Sequence, residues 1–215
     1  MTMPGDNLPG IPMIVLETTR LRLRPVQSDD ATTLYDLIYG DANVRKYYSP
    51  NTKTLLQTQQ WLYGYLADHE KLRPNNYHWL ICRIEDDLPI GAVGLEYTWY
   101  KESEGEGILL KENAVIDFSA MLVGLHYAVG KDFQRLGYGT EAAAEIVGYA
   151  FTFPEINRIV NVIDAENEDS DKLMRRLKFT LTPAPPNIIG IPTSSLVKPS
   201  TSAEAEYAQS TNWLR

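Results

Sequence analysis

Hydrophobic and polar residues alternate near the start of the chain, in the stretch "IVLETTRLRLRPV". Leu21 and Leu23 stand between charged residues there, and Pro25 follows them. A period of two is typical of a half-buried strand, so a first strand is predicted at this place. Apolar residues at helical spacing in "DDATTLYDLIYG" then predict a helix that ends at Gly40. A second helix is predicted over roughly 54–69.

The middle of the chain is rich in strand-forming residues. Two apolar runs, "YHWLICRIE" and "PIGAVGLEYTWY", are joined by the acidic turn "DDL" and are predicted to be antiparallel neighbours. The polar, glycine-bearing stretch "KESEGEGILLKEN" is either a long loop or a short extra hairpin. After it, "AVIDFSAMLVGLHYAV" is long, apolar and rich in β-formers, which predicts a central strand.

Helices and strands alternate in the following part of the chain. A helix that reaches about Phe151 is followed by the strand "NRIVNVIDA" and the helix "DSDKLMRRL". This order indicates locally parallel pairing, whereas the hairpins before it indicate an antiparallel half. The predicted fold is therefore α/β (α+β), with a mixed, mostly antiparallel central sheet flanked by helices.

Proline, glycine and serine set the predicted domain boundaries. Residues 1–12 carry three prolines and two glycines and are predicted to form a flexible tail, which leaves 13–215 as a single domain. Residues 183–202, "PAPPNIIGIPTSSLVKPSTS", are predicted to form a long irregular loop. The stretch "AEYAQSTNW" after it is predicted to be a last edge strand.

Composition and charge exclude several classes of protein. With 215 residues, 44% of them hydrophobic, the chain can bury one substantial core. A formal net charge of −8 argues against a nucleic-acid partner, which selects basic surfaces. The single cysteine, Cys82, excludes a disulfide framework and a cysteine metal cluster, and its apolar neighbours predict a buried side chain. Without a signal segment or a run of about eighteen apolar residues, a cytoplasmic protein with no membrane partner is predicted.

Two glycines surround a tyrosine in "FQRLGYGTEAAAEIVGYAF", where a strand leads through a loop into a helix. The first N–H groups of a helix lack intrahelical partners and carry the positive end of its dipole, so such a junction can bind an anion. Gly137 and Gly139 let a phosphate approach the backbone, although glycines chosen only for the torsion angles of a tight turn remain an alternative. The spacing matches neither a P-loop nor G-x-G-x-x-G.

Six short stretches, in the same order, resemble one family. "QRLGYG" at 134–139 resembles the Q/R-x-x-G-x-G/A signature of the GCN5-related N-acetyltransferase (GNAT) family, and "NEDS" at 167–170 resembles the N-x-x-S of its ribosomal-protein N-acetyltransferase (RimJ/RimL) branch. "TTRLRLRP", "TEA", "RRLKF" and "NW" are also similar to that branch. The resemblance spans roughly 16–214 and implies a single GNAT-like domain.

The resemblance implies an acetyl-CoA-dependent N-acetyltransferase that acts on a primary amine by direct transfer in a ternary complex, with no metal. It implies that the pantetheine arm runs along the central strand and is held by Asn167, which alternatively caps the following helix. It also implies that the pyrophosphate lies on the backbone N–H groups of the signature. The implied coenzyme-binding residues are Tyr127, Ala128, Val129, Gln134, Arg135, Leu136, Gly137, Tyr138, Gly139, Thr140 and Asn167.

The transfer requires a group that stabilises an oxyanion, a donor to the departing thiolate and a route for the proton of the amine. The backbone N–H of Val129 or its neighbour can meet the oxyanion. Ser170 matches the family's hydroxyl donor, and N-capping of a helix over 170–178 is its alternative role.

The general base is left open by the sequence. Many members of the branch carry an acid on the central strand where this chain has Gly124. His126 lies on the same strand face and is the candidate base, with a rate expected to rise through pH 6 to 7; a buried core histidine is the alternative. Glu96, Asp117 and a water relay are further candidates.

Two departures from the family affect the backbone and the acceptor. Lys178 replaces the usual glycine after the last helix, so that helix end needs another geometry or a positive φ. Residues 183–202 and the loop with Tyr47 and Tyr48 are expected to select the amine, which can be a small molecule or a protein N-terminus. A monomer or a homodimer is expected, and a coenzyme-A-binding sensor without catalysis is the alternative function.

Overall fold

The structure is a computed structural model that describes residues 10–46, 54–69, 76–98, 100–103, 106–109, 122–154, 156, 158–163, 166–182 and 193–197. Its strands are β1 (Leu16–Glu17), β2 (Leu21–Pro25), β3 (Asn76–Arg83), β4 (Pro89–Thr98), β5 (Tyr100–Ser103), β6 (Glu106–Leu109), β7 (Leu122–Val129), β8 (Arg158–Val162), β9 (Thr180–Thr182) and β10 (Thr193–Val197). Its helices are α1 (Ala31–Leu34), α2 (Ala42–Arg45), α3 (Leu55–His69), α4 (Tyr138–Ala150) and α5 (Glu168–Arg176).

The described residues pack as two compact units. The first unit comprises Gly10–Leu95 and His126–Ile146. The second unit comprises Glu96–Leu125 and the described part of Val147–Arg215. The predicted boundaries of a 1–12 tail and a 13–215 domain stay a prediction.

The sheet of the first unit has the order β1-β2-β3-β4-β7, with β7 represented by His126–Val129. The predicted first strand is in fact two strands, because β1 and β2 pair as an antiparallel hairpin with Leu16 opposite Leu23. The N–H of Thr18 donates to the carbonyl of Leu21 at 2.8 Å and closes the turn. The polar residues between the strands thus form a turn instead of continuing one strand.

Helices α1 and α3 cover this sheet with an apolar face. The first helix is composite, because a 3-10 turn precedes α1 and a π turn over Tyr35–Tyr39 follows it, ending at Gly40 as predicted. Helix α3 begins one residue later than the predicted 54–69 and ends where predicted. The buried residues packed together here are Val26, Ala31, Leu34, Ile38, Val44, Leu62, Tyr65, Leu80, Cys82 and Ala128. Cys82 is therefore a buried side chain, as predicted.

In the second unit the strand order is β7-β8-β10-β9, with β7 represented up to Leu125. Strands β7 and β8 are parallel, and β10 is antiparallel to both β8 and β9. The predicted parallel pairing in this part of the chain is confirmed. Strands β5 and β6 form a separate antiparallel hairpin, which confirms the second of the two predictions for that stretch.

One prediction for the second unit is corrected. Strand β10, Thr193–Val197, lies inside the predicted irregular loop 183–202. Its sequence "TSSLV" contains the strand-compatible Thr, Leu and Val; all five residues pair with β8 and the first three also pair with β9, in spite of the prolines around them. The predicted edge strand "AEYAQSTNW" lies outside the described residues.

Together these ladders confirm the predicted fold class. The sheet strands pair antiparallel at β1–β2, β2–β3, β8–β10 and β9–β10, whereas β7–β8 is parallel. Helices flank both units, so the fold is α+β with a mixed, mostly antiparallel sheet. Within the described part of the chain, no helix has the length and apolar character needed to cross a membrane.

Helix α5 ends with a left-handed residue that is not glycine. Lys178 has φ 63°, which confirms one of the two geometries predicted for it. Its N–H donates to the carbonyl of Arg175 at 3.0 Å, and the N–H of Phe179 donates to that of Met174 at 2.9 Å. These two bonds form a Schellman motif, in which glycine is the preferred residue at the position of Lys178.

Replacing Lys178 by glycine is therefore expected to raise the free energy of unfolding by about 1 kcal/mol, because it relieves the left-handed strain. Urea unfolding of both proteins measures the change. Lys172→Gly, inside the exposed face of the same helix, is the matched control and should lower stability by about 1 kcal/mol. A lower stability for Lys178→Gly would contradict the strain argument.

Candidate active site

The glycine junction of the first unit has the geometry of an anion site. Helix α4 begins at Tyr138, and its first hydrogen bond from the loop side joins the N–H of Glu141 to the carbonyl of Gly137 at 3.0 Å. The N–H groups of the preceding turn therefore have no intrahelical acceptor. Arg135 and Gly137 both have a positive φ, of 64° and 86°. Residues in this conformation turn successive N–H groups toward one concave side, where an anion can bind.

The end of β7 presents Val129 on the side away from β4. The N–H of Gly130 donates to the carbonyl of Ile90 in β4 at 2.8 Å. Because alternate residues of a strand face the same neighbour, the N–H and C=O of Val129 face the other way. The amide of Gln134 donates to that Val129 carbonyl at 2.9 Å. Gln134, the first residue of the signature, thus links the loop to the strand.

In the second unit, the parallel ladder between β7 and β8 is short. It ends with Gly124 opposite Val160. The buried side chain of Asn161 then donates from Nδ2 to the carbonyl of Leu125 at 2.9 Å. A side chain thus replaces the next backbone bond, which is the arrangement expected where two strands begin to separate.

Arg20 and Glu141 join the first hairpin to the junction, a contact that no sequence pattern predicts. The carboxylate of Glu141 is buried, and its Oε2 accepts from Nε of Arg20 at 2.7 Å and lies 2.7 Å from Nη2 in an ion pair. Nη1 of Arg20 donates to the carbonyl of Leu136 at 3.1 Å. The two residues lie in "TTRLRLRP" and "TEA", and their contact is a physical reason for the two stretches to occur together.

Asn167 and Ser170 lie at the start of α5 in the second unit. Asn167 is the N-cap, and its Oδ1 accepts from the N–H of Ser170 at 3.1 Å. The predicted alternative of Asn167 as a helix cap is therefore confirmed. The corresponding alternative for Ser170 is wrong, because α5 begins at Glu168 and Ser170 lies inside its first turn. A capping requirement thus does not explain the serine.

His126 packs over a glycine of the neighbouring strand. A Cβ at Gly94 would overlap its imidazole, and the ring of His78 lies 4.4 Å away between centroids. The buried Nε2 of His126 has no hydrogen-bond partner among the described residues. Burial lowers the pKa of His126 to about 4, so the imidazole is neutral at pH 7. That pKa lies below the range of 6 to 7 used in the sequence-based expectation.

Glu96 packs over the glycine that replaces the family's acid. In the second unit, a Cβ at Gly124 would lie 2.8 Å from Cγ and 3.1 Å from Oε1 of Glu96. The carboxyl of Glu96 thus occupies the space that a side chain at Gly124 would need. Desolvation raises the pKa of this carboxyl above its ordinary value, although the residue as a whole is exposed. A carboxyl group therefore lies next to Gly124, and it comes from Glu96 on the neighbouring strand β4.

The predicted site residues are divided between the two units. The first unit brings together the end of β7, from His126 to Val129, and the junction from Gln134 to Thr140. The second unit contains Glu96, Asn167 and Ser170. Three predicted residues, Asp117, Tyr47 and Tyr48, lie outside the described residues. The described residues contain no cluster of His, Cys, Asp or Glu suited to a metal ion.

A protein-family model described as "Acetyltransferase (GNAT) domain" matches residues 20–180. The chain belongs to the GNAT family. It is an N-acetyltransferase of that family, as the sequence motifs predicted. The matched residues include the glycine junction, Glu96 and both residues at the start of α5.

Relatives and solved structures agree with this family. The protein named "Uncharacterized N-acetyltransferase YoaA" of Bacillus subtilis (strain 168) is 24% identical over 165 residues, which cover 77% of this chain and 82% of that protein. The ribosomal-protein-S5-alanine acetyltransferase of Vibrio fischeri matches with a TM-score of 0.62 at 15% identity, over 87% of this chain and 98% of that one. FdhC, a nucleotide-linked sugar GNAT, has a TM-score of 0.65 at 15% identity, over 91% and 97%.

Proposed function

We propose that this GNAT protein transfers an acetyl group from acetyl-CoA directly to a primary amine in a ternary complex. The observation that carries the proposal is the turn before α4, where Arg135 and Gly137 have positive φ and the first helical N–H groups are free of intrahelical bonds. A diphosphate fits such a site, because backbone donors and the helix dipole neutralise charge without a basic surface. This suits a chain of net charge −8.

The coenzyme-binding residues proposed here are those that the sequence predicted. The N–H groups from Arg135 to Thr140 would hold the pyrophosphate, and the backbone of Tyr127 to Val129 would hold the pantetheine arm as an added strand. The Val129 N–H faces away from β4 and would donate to the carbonyl oxygen of the thioester. Acetyl-CoA supplies the activated acetyl group, and its thiol leaves.

For the proton of the amine, the contacts favour Glu96 over His126. A carboxyl whose pKa is raised is a stronger base once ionised, and Glu96 has this property. Burial lowers the pKa of His126 to about 4, which makes its imidazole a weak proton acceptor. The position of Glu96 over Gly124 also weighs against an inactive coenzyme sensor, since this carboxyl of β4 would take the role of the acid missing from β7. His126 as the base stays a prediction, as does Asn167 as a ligand of the pantetheine arm.

Ser170 is proposed to donate its hydroxyl to the departing thiolate. Ser170→Ala should lower kcat about ten- to a hundredfold with little change in acetyl-CoA affinity, because the interaction forms only as the thiolate leaves. Asn167 supplies the helix cap, so the melting temperature should stay the same. Steady-state kinetics and thermal unfolding measure both quantities. Asp169→Ala, at the exposed neighbouring position, is the control; an unchanged kcat in Ser170→Ala would remove the serine from the mechanism.

The acceptor is proposed only as a primary amine. The named structural neighbours include an enzyme for a ribosomal-protein alanine and one for a nucleotide-linked sugar, so this fold admits different acceptors. A net charge of −8 mildly favours a cationic amine by long-range attraction.

Release of free thiol from acetyl-CoA tests the proposed function. A panel of a protein N-terminal peptide, a polyamine, an amino acid and an aromatic amine should contain at least one compound that accelerates thiol release above the rate of hydrolysis. Binding of acetyl-CoA without acceleration by any amine would instead support a sensor. A protein that does not bind acetyl-CoA at all would refute the proposal.

A further inference from the structure

We propose that Arg20 and Glu141 form a clamp that positions the pyrophosphate-binding turn, without either side chain contacting the ligand. This inference rests on the proposed function, because it assigns a role in acetyl-CoA binding to residues outside the glycine signature. The clamp joins the turn between β1 and β2 to the first turn of α4, across 121 positions of sequence.

Glu141 fixes the side chain of Arg20. Its buried carboxylate accepts from Thr18 Oγ1 at 2.6 Å, from the Arg20 N–H at 2.9 Å and from Arg20 Nε at 2.7 Å. Nη2 of Arg20 lies at 2.7 Å from the same carboxylate. A carboxylate that pairs with the guanidinium through Oε2 and accepts two further hydrogen bonds at Oε1 has little freedom, so it holds the arginine in one orientation.

The fixed guanidinium contacts three consecutive residues of the turn. Nη1 donates to the Leu136 carbonyl at 3.1 Å, and the guanidinium carbon lies 4.5 Å from the ring centroid of Tyr138. Nη2 lies 3.3 Å from the position that a Cβ of Gly137 would occupy. The side chain of Arg20 therefore covers one side of the turn, and the ligand is expected on the opposite side.

Peptide geometry links this contact to the proposed ligand. In a planar trans peptide, the carbonyl of Leu136 and the N–H of Gly137 point in opposite directions. Because Arg20 holds the carbonyl toward itself, the Gly137 N–H points away from Arg20, toward the open side. Arg135 has a φ of 64°, which is costly for a residue with a side chain, so the turn needs such an external contact to persist without ligand.

The charge of Glu141 leads to opposite expected changes in acetyl-CoA affinity for two explanations, simple charge repulsion and the clamp. A negative charge in the first turn of α4 should repel a diphosphate, so its removal alone should strengthen binding. If Glu141 acts through the clamp, its removal should weaken binding instead. Glu141→Gln keeps the size of the side chain and removes the charge, and Arg20→Lys keeps the charge of the arginine and removes its fork.

Calorimetric titration with acetyl-CoA is the experiment, on variants shown to be folded by their melting temperatures. Both Glu141→Gln and Arg20→Lys should raise the Kd about tenfold, and the double variant should be little worse than either single one. Arg22→Lys is the matched control, since Arg22, two residues further on in β2, pairs with the exposed Glu17 and Asp87 and should leave the Kd unchanged.

Four results would overturn the inference. A lower Kd for Glu141→Gln would mean that Glu141 acts only by repelling the ligand. A higher Kd for Arg20→Lys, with Glu141→Gln unchanged, would mean that Arg20 contacts the ligand directly. Equal binding by the parent and both variants would remove the clamp from coenzyme recognition while leaving the proposed function intact. A parent that does not bind acetyl-CoA would refute the proposed function, and this inference with it.

Discussion

Replacing Gly137 by valine is expected to weaken acetyl-CoA binding by about a hundredfold or more. Gly137 has φ 86°, and a branched side chain there both opposes that conformation and covers the N–H groups of the turn. Loss of two hydrogen bonds to a charged ligand is sufficient for this effect, since each contributes about 1.5–3 kcal/mol. In the free protein an added Cβ would lie 3.3 Å from Nη2 of Arg20, a close contact, and the positive φ adds strain, so the variant must first be shown to fold.

Two companion variants separate ligand exclusion from backbone strain. Gly137→Asn adds a side chain that tolerates positive φ, so it should fold well and still bind acetyl-CoA more weakly than the parent. Gly148→Ala, in α4, where a Cβ would meet no atom within 4 Å, should leave the Kd unchanged. Calorimetry on folded proteins gives the three constants. Parent-like affinity in Gly137→Val would place the pyrophosphate somewhere else.

Removal of the Glu96 carboxylate is expected to lower kcat by about a hundredfold or more, with acetyl-CoA affinity retained, because the variant Glu96→Gln has no base. Only the ionised carboxyl accepts a proton, so the rate of the parent should rise with pH through the pKa of Glu96. Desolvation raises that pKa, which moves the acidic limb to higher pH than an ordinary carboxyl would give. His126 as the base would put the limb near pH 4 instead.

Moving the carboxyl from position 96 to position 124 provides a stronger test than removing it. Gly124→Glu alone should lower activity, because its Cβ would lie 2.8 Å from Cγ of Glu96 and displace that carboxyl. The double variant Glu96→Gly, Gly124→Glu has that space free and should regain part of the activity that Glu96→Gly loses. His126→Gln, the control, should keep the acidic limb. A double variant no better than Glu96→Gly, or a limb that disappears with His126→Gln, would return the search to His126 or a water relay.

Local sequence patterns were sufficient to predict most elements of the fold. Period-two and helical spacing identified the strands and α3, and the alternation of elements after Gly130 predicted the parallel pairing of β7 and β8. The glycine junction could also be predicted, because an anion site there depends only on backbone groups. The errors occurred where a few residues decide the outcome: a three-residue turn divides β1 from β2, and "TSSLV" pairs as β10 within a proline-rich segment.

Contacts between residues distant in sequence could not be predicted in this way. Nothing near Gly124 indicates that an acid from β4 lies over it, since that depends on the register of two strands. The pair formed by the exposed Arg20 and the buried Glu141 likewise looks like two surface charges in the sequence. For Asn167 and Ser170 the sequence allows two possibilities, because either residue can cap a helix. Only the observed start of α5 identifies Asn167 as the cap.

The separation of Arg20 from Glu141 also has a consequence for the order in which the protein is made. At about 5–20 residues per second, roughly 6–24 s pass on the ribosome between the synthesis of Arg20 and that of its partner 121 positions later. The hairpin of β1 and β2 can meanwhile pair with β3, which follows it after some fifty residues. The strained turn at Arg135, however, gains its anchor only after most of the chain has been translated, so coenzyme binding is among the last properties that the nascent protein acquires.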